Sequence, residues 1–320
     1  MRCRTEAAEA MTIVKQQLTR ALLVGSLLAG GAASGPIAGP VDVKAPAGQP
    51  ATTAAPEVPL PTRDGSLKFA VLGDFGDGSR RQYDVAAMMV KRRATFPFEL
   101  VALVGDNMYG SQGPRDYERK FAIPYKPLLD AGVKFYASLG NHDDLGQRFY
   151  EHFNMNGRRY YSFKAPKQDV RFFAIDSTYL VPEQLTWLDK ELQGSGENWK
   201  IAYFHHPPYS SGDRHGSDVV LREALEPLFI KYNVSVVFNG HDHFYERIKP
   251  QNGVAYFVVG SGGKLRRGNI EVGTGLTARG FDDDNAFLAA EIDGDEMFFN
   301  AISRLGRVVD SGIVVRRKPE

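Results

Sequence analysis

An α/β fold with much parallel strand pairing is predicted from two observations. Short apolar runs alternate along the chain with stretches of helical spacing, and five of the runs end in carboxylate, amide or imidazole groups. In such sheets the carboxyl ends of the strands converge on one crevice where ligands bind, so polar groups far apart in sequence are expected to meet in space. A hydrophobic content of 43% over 320 residues supplies the core.

The elements follow in chain order. LKFAVLGD (67–74) is a short apolar run closed by Gly-Asp, and 80–94 has helical spacing. FELVALVGD (98–106) is a second such run. Residues 117–131 are helical in spacing, with breaks expected at Pro124 and Pro127. VKFYASLGNHD (133–143) and VRFFAIDS (170–177) are further strands, followed by a helix near 183–192. WKIAYFHH (199–206), a helix near 218–232, VSVVFNGHDH (234–243) and VAYFVVGSGG (254–263) continue the alternation. FLAAEIDGDEMFFNAIS (287–303) alternates around a glycine and reads as a β-hairpin.

The N-terminus has a different texture. Residues 11–33 carry Lys15 and Arg20 ahead of ALLVGSLLAGGAA, an apolar stretch too short and glycine-rich to span a bilayer comfortably. Residues 1–33 therefore read as a secretory signal, with Met11 an alternative start. Residues 34–65, rich in Pro, Ala and Thr, read as a linker, and 66–320 as one catalytic domain. A secreted or periplasmic location without stable membrane association follows once the signal is removed. The formal net charge is +1, so composition gives no sign of a nucleic-acid partner. The only cysteine is Cys3, which excludes a disulfide framework and a thiolate site and leaves nitrogen and oxygen donors for any metal.

The strand ends are Gly73-Asp74-Phe75-Gly76, Gly105-Asp106-Asn107-Met108-Tyr109, Gly140-Asn141-His142-Asp143, Phe204-His205-His206-Pro207 and Gly240-His241-Asp242-His243. A glycine precedes the polar group in four of the five, letting the backbone turn sharply. Of seven histidines, His142, His205, His206, His215, His241 and His243 fall in these blocks or just after one, and only His152 lies elsewhere. Such clustering favours a metal site over scattered structural histidines.

These blocks, in this order, resemble the calcineurin-like metallophosphoesterases and, within them, the purple acid phosphatases. Most of the superfamily carries Asp-x-His in the first block. Here Gly76 replaces the histidine and the second block offers Tyr109, the purple acid phosphatase exchange. The resemblance implies two mixed β-sheets packed as a sandwich and flanked by helices. It implies one metal on Asp74, Asp106, Tyr109 and His243, and a second on Asp106, Asn141, His205 and His241, with Asp106 bridging. A tyrosinate ligand needs a strongly polarising cation, so Fe(III) suits the first position. Neutral Asn141 suits a divalent ion (Fe, Zn or Mn) at the second.

The activity so implied is acid phosphatase hydrolysis of a small phosphomonoester by a metal-bound hydroxide. His142 and His215 would protonate the leaving group, and Asn141, His142, His206 and His215 would contact phosphate. A phosphodiesterase acting on nucleotides or phospholipids, or a non-catalytic envelope metal- or phosphate-binding protein, are the alternatives. Oligomeric state is left open. GSGGKLRRG (260–268) does not fit a nucleotide P-loop and reads as a turn near the site, and FDDDN (281–285) reads as an acidic surface turn. Tyr245, Glu246 and Arg247 have no ligand role and read as support or rim of the site.

Overall fold

A computed structural model describes residues 57–318. The proposed signal and residues 34–56 of the proposed linker lie outside the described residues. No helix among the described residues is long and apolar enough to cross a membrane.

Two mixed sheets form the frame. In the first, β1 (Leu67–Leu72), β2 (Leu100–Val104) and β3 (Lys134–Ser138) run parallel. Beyond β1, the antiparallel meander β11 (Ala286–Asp293), β12 (Glu296–Ser303) and β13 (Val308–Val315) completes the order β13-β12-β11-β1-β2-β3. In the second, β5 (Val170–Ala174), β6 (Trp199–Tyr203), β7 (Val236–Asn239) and β9 (Ala255–Val259) are parallel. β4 (Tyr161–Lys164), β8 (Tyr245–Ile248) and β10 (Thr277–Phe281) join antiparallel, giving β10-β8-β9-β7-β6-β5-β4. The expected hairpin is β11–β12. Strands β4, β8, β10 and β13 are additions to the sequence reading: β4 and β8 have only four residues each, and the five of β10 include Thr277, Arg279 and Gly280 and show no alternation.

Side chains alternate across a strand, and the second sheet uses both faces. Phe172, Ile201, Tyr203, Val236 and Phe238 face the first sheet, where Phe69 meets Phe172 at 5.4 Å and Phe238 at 6.1 Å between ring centroids. Phe173, Ala202, Phe204 and Val237 face outward and are covered by two helices. These are α3 (Pro182–Gly194), through Leu188 and Leu192, and α4 (Val219–Lys231), through Leu221, Leu225 and Phe229. Burial on both faces explains why these strands read as continuous apolar runs. Asp218 begins α4 by accepting the Leu221 N–H at 2.9 Å, as Ser79 caps α1 (Arg80–Arg93) by accepting from Gln82.

The helix expected over 117–131 is not broken at its prolines. It runs from Pro114 through a π turn, Glu118–Ala122, into α2 (Ile123–Asp130). Pro124 has no N–H to give the Lys120 carbonyl, and the Gln82 side-chain amide of α1 donates to it instead. The end of the linker reading also differs. Residues 57–65 lie against the first sheet: Leu60 is buried, Val58 N–H bonds Ser311, and the Thr62 and Arg63 amides both donate to the Glu291 carboxylate. Apolar Val58 and Leu60, not the surrounding prolines, decide this.

Arg171 on β5 holds Glu197, ahead of β6, through two hydrogen bonds of 2.9 and 3.0 Å. The guanidinium lowers the Glu197 carboxyl from its ordinary 4.5 to about 2. A depressed carboxyl stabilises the fold above its ordinary range and loses that contribution as pH falls. Glu197→Gln is expected to cost roughly 1 kcal/mol at pH 7 after solvent screening. The gap to wild type in thermal unfolding should close as pH drops from 4.5 to about 2. A gap constant over that range would refute the pair.

Candidate metal centre

The five blocks leave strands of both sheets at one edge. Asp74 follows β1, Asp106 follows β2 and Asn141 follows β3, while His205 follows β6 and His241 follows β7. Backbone bonds knit these ends together: Asp74 N–H to Gly105 O at 3.0 Å, and Gly240 N–H to His205 O at 2.9 Å. Asp74, Asp106 and His241 have φ of 53°, 48° and 71°, a left-handed backbone that L residues seldom adopt. Strain of this kind persists only where the surroundings over-determine it, and it gathers at functional sites.

Close approach sets the glycines. A Cβ on Gly240 would lie 2.5 Å from Asp74 Oδ2. At position 76 a Cβ would stand 1.7 Å from the Asn107 carbonyl oxygen, so no side chain fits there. The Gly76 carbonyl accepts the Tyr109 N–H at 2.9 Å. A side chain at position 76 would thus collide with the backbone of the block that carries Tyr109.

The donors form two groups. Asp74, Asp106 and His243 offer ligand atoms within 4.8 Å of one another, as do His205, His206 and His241. Tyr109 joins the first group, its hydroxyl donating to Asp74 Oδ1 at 2.9 Å and lying 3.2 Å from His243 Nε2. Asn141 joins the second, its Oδ1 3.1 Å from His205 Nε2. Asp106 lies between them: Oδ1 accepts the His142 N–H at 2.9 Å and is 3.4 Å from His205 Nε2. His205 Nδ1 is 3.1 Å from the Val104 carbonyl, the contact that orients a ligating imidazole.

Electrostatics tests whether these residues suit cations. Burial, then the Asp106 charge, raises the Asp74 carboxyl well above its usual range, and burial raises Asp106. Burial, then Asp74 and Asp106, raises the Tyr109 phenol far above its ordinary value. Burial also drives His205 and His241 well down and His243 to about 4. Buried acids crowd together here and the imidazoles are held neutral, which is the form that binds metal. Cations among them would stabilise every one of these donors, so the set fits metal ions.

A cavity opens beside the second donor group. His206, His215 and His241 line a cavity of about 450 Å³ together with Arg214 and Asp218. The His215 and His241 rings are 4.2 Å apart. The Ser177 hydroxyl lies 2.9 Å from His206 Nδ1 and accepts the His206 N–H at 3.0 Å. His142 is exposed, its ring 4.8 Å from that of Tyr109. Lys264 stands 4.6 Å over the Tyr109 ring, so a cationic side chain borders the centre.

Other side chains support the donors. Asp143 accepts the Asn107, Met108 and Gly140 amides at 3.0, 2.9 and 2.8 Å, locking the second block to the third. Asp242 points away from its flanking histidines and accepts from the Ser210 hydroxyl. Glu246 accepts the Ser211 N–H at 2.9 Å and the Thr277 hydroxyl. These two buried carboxylates fasten the loop that carries His215 to the segment that carries His241 and His243. The Tyr245 hydroxyl and Arg247 hold Asp310 on β13 instead, at 2.7 and 2.8 Å. Glu246 is fully buried beside Tyr245 and Arg247 on β8. In 260–268, the Gly262 amide is bonded to the Gly73 carbonyl and the Gly263 and Lys264 amides to that of Asp74, so this stretch supports the first block. In 281–285, Asp284 pairs with Arg304 and Asp282 accepts the Asn269 N–H.

The calcineurin-like phosphoesterase family model matches residues 67–245, which span all five blocks. The chain belongs to this family. Its curated relatives are purple and tartrate-resistant acid phosphatases. Purple acid phosphatase 7 of Arabidopsis thaliana is 27% identical over 79% of this chain and 88% of its own length. Tartrate-resistant acid phosphatase type 5 of Homo sapiens is 25% identical over 76% of this chain and 89% of its own. Among solved structures, the purple acid phosphatase PPD1 from yellow lupin seeds superposes with a TM-score of 0.65 at 21% identity. That match covers 81% of this chain and 55% of the lupin chain, and it shows the shared fold. This phosphoesterase therefore has the two-sheet frame of its family, with candidate metal donors gathered at one edge.

Proposed function

We propose that this phosphoesterase is a secreted or periplasmic acid phosphatase that hydrolyses phosphate monoesters at a centre for two metal ions. The observation that carries this reading is the place of Asp106: buried, grouped with Asp74 and His243, and 3.4 Å from His205 of the other donor group. One metal would be held by Asp74, Asp106, Tyr109 and His243, the other by Asp106, Asn141, His205 and His241. Bound there, two metals supply Lewis acidity toward a phosphoryl oxygen and a water nucleophile that no protein base need activate. The relatives' name favours Fe(III) on the tyrosine side with a divalent partner.

The chain's own groups supply the rest. A phosphate in the His206–His215 cavity meets Arg214 along with both imidazoles, so a dianion is attracted and oriented. With Ser177 donating to Nδ1, His206 presents its Nε2–H for hydrogen bonding to phosphate. His142 and His215 would protonate a leaving alkoxide.

Metal-loaded protein is expected to turn over p-nitrophenyl phosphate with kcat/KM at least about a hundredfold above that for bis(p-nitrophenyl) phosphate. A reversed ratio would make it a phosphodiesterase, and no turnover of either would make it a binding protein. Tyr109→Phe should abolish a visible charge-transfer band. A colourless wild-type protein with full activity would sink the ferric assignment.

A further inference from the structure

A second cavity of about 510 Å³ is lined by Arg148, Gly157, Arg158, Arg159, Tyr160 and Trp187. Three guanidinium groups share it and no carboxylate lines it. Among the described residues Arg159 alone of the three has an acidic partner, Asp176, at 3.3 Å. Arg148 reaches only the Leu145 carbonyl at 3.4 Å and the Phe149 ring, and the Arg158 side chain makes no hydrogen bond or ion pair among the described residues. Like charges around one concavity repel unless an anion lies between them. The planar arginine fork matches phosphate in a bidentate manner. The Tyr160 and Trp187 rings, 5.0 Å apart, add an aromatic wall.

The cavity's place in the fold ties it to the reaction site. Arg148 lies on the 3₁₀ turn Leu145–Phe149, which follows directly on the third block. Arg159 pairs with Asp176 just past the end of β5, and the next residue, Ser177, is hydrogen-bonded to His206. One short segment therefore contacts both cavities, so a molecule whose phosphate sits by His206 can extend toward the arginines.

We propose that this cavity binds a second phosphate group, carried on the leaving-group side of a phosphomonoester substrate. The preferred substrate class is then an organic bisphosphate. This inference rests on the phosphomonoesterase reading, and two measurements separate their fates.

The first is steady-state kinetics of the metal-loaded full chain on alkanediol bisphosphates of increasing length against the matched alkyl monophosphates. Wild type should show a KM about tenfold lower for its best bisphosphate than for the matched monophosphate. Arg148→Ala/Arg158→Ala should erase that preference while leaving the monophosphate within about twofold. The second is calorimetric binding of the corresponding bisphosphonates and monophosphonates, which needs no turnover. Hydrolysis of neither ester would count against the phosphatase reading alone. Absence of a bisphosphonate preference in wild type, or its survival in the double variant, would overturn the second site.

Discussion

Asp106→Asn is expected to lower kcat/KM for p-nitrophenyl phosphate by about a thousandfold or more, equivalent to about 4 kcal/mol of transition-state stabilisation. The substitution keeps shape and burial and can keep an oxygen acceptor for the His142 N–H, so the fold should survive it. What disappears is the one charge placed between the two donor groups. Both proposed metals depend on it, so metal content should fall along with turnover. The check is metal analysis and kinetics on the same preparation. A variant that retained two metals and lost less than about tenfold in activity would remove Asp106 from the centre.

Phe69→Ala is expected to destabilise the fold by about 3–5 kcal/mol, a large share of the stability of an ordinary domain. Phe69 is fully buried on β1 and joins the sheets through edge-on contacts with Phe172 on β5 and Phe238 on β7. No neighbour can swing in without leaving its own strand position, so a cavity would remain. In a domain of this size the midpoint of thermal unfolding should fall by roughly 6–20 °C. Because β1 and β7 both end in the site, metal retention should weaken with stability. A shift below about 2 °C would show that the sheet interface repacks freely.

Much of this architecture was legible in the sequence. The long, doubly buried strands announced themselves as apolar runs, and α1, α3 and α4 lie within about two residues of their expected bounds, the usual uncertainty of a helix end. The helix through Pro124 was misread because its missing hydrogen bond is filled by Gln82, a residue 42 positions away. The docking of 57–65 was hidden for a similar reason: its partners, Glu291 and Ser311, lie more than two hundred residues on. Short edge strands such as β4 carry too few residues for a periodic signal.

By itself, then, the sequence determined the donor types, their order and their placement at strand ends, because apolar runs and Gly-Asp or Gly-His turns are written in neighbouring residues. Only the tertiary structure decided that three blocks leave one sheet and two leave the other. It alone brought Asp106 between the two donor groups, turned Asp242 and Glu246 into anchors of the His215 loop, and gathered three arginines in one cavity. Those relations depend on which strands pair and in what register, and that is set by packing between segments the chain keeps far apart.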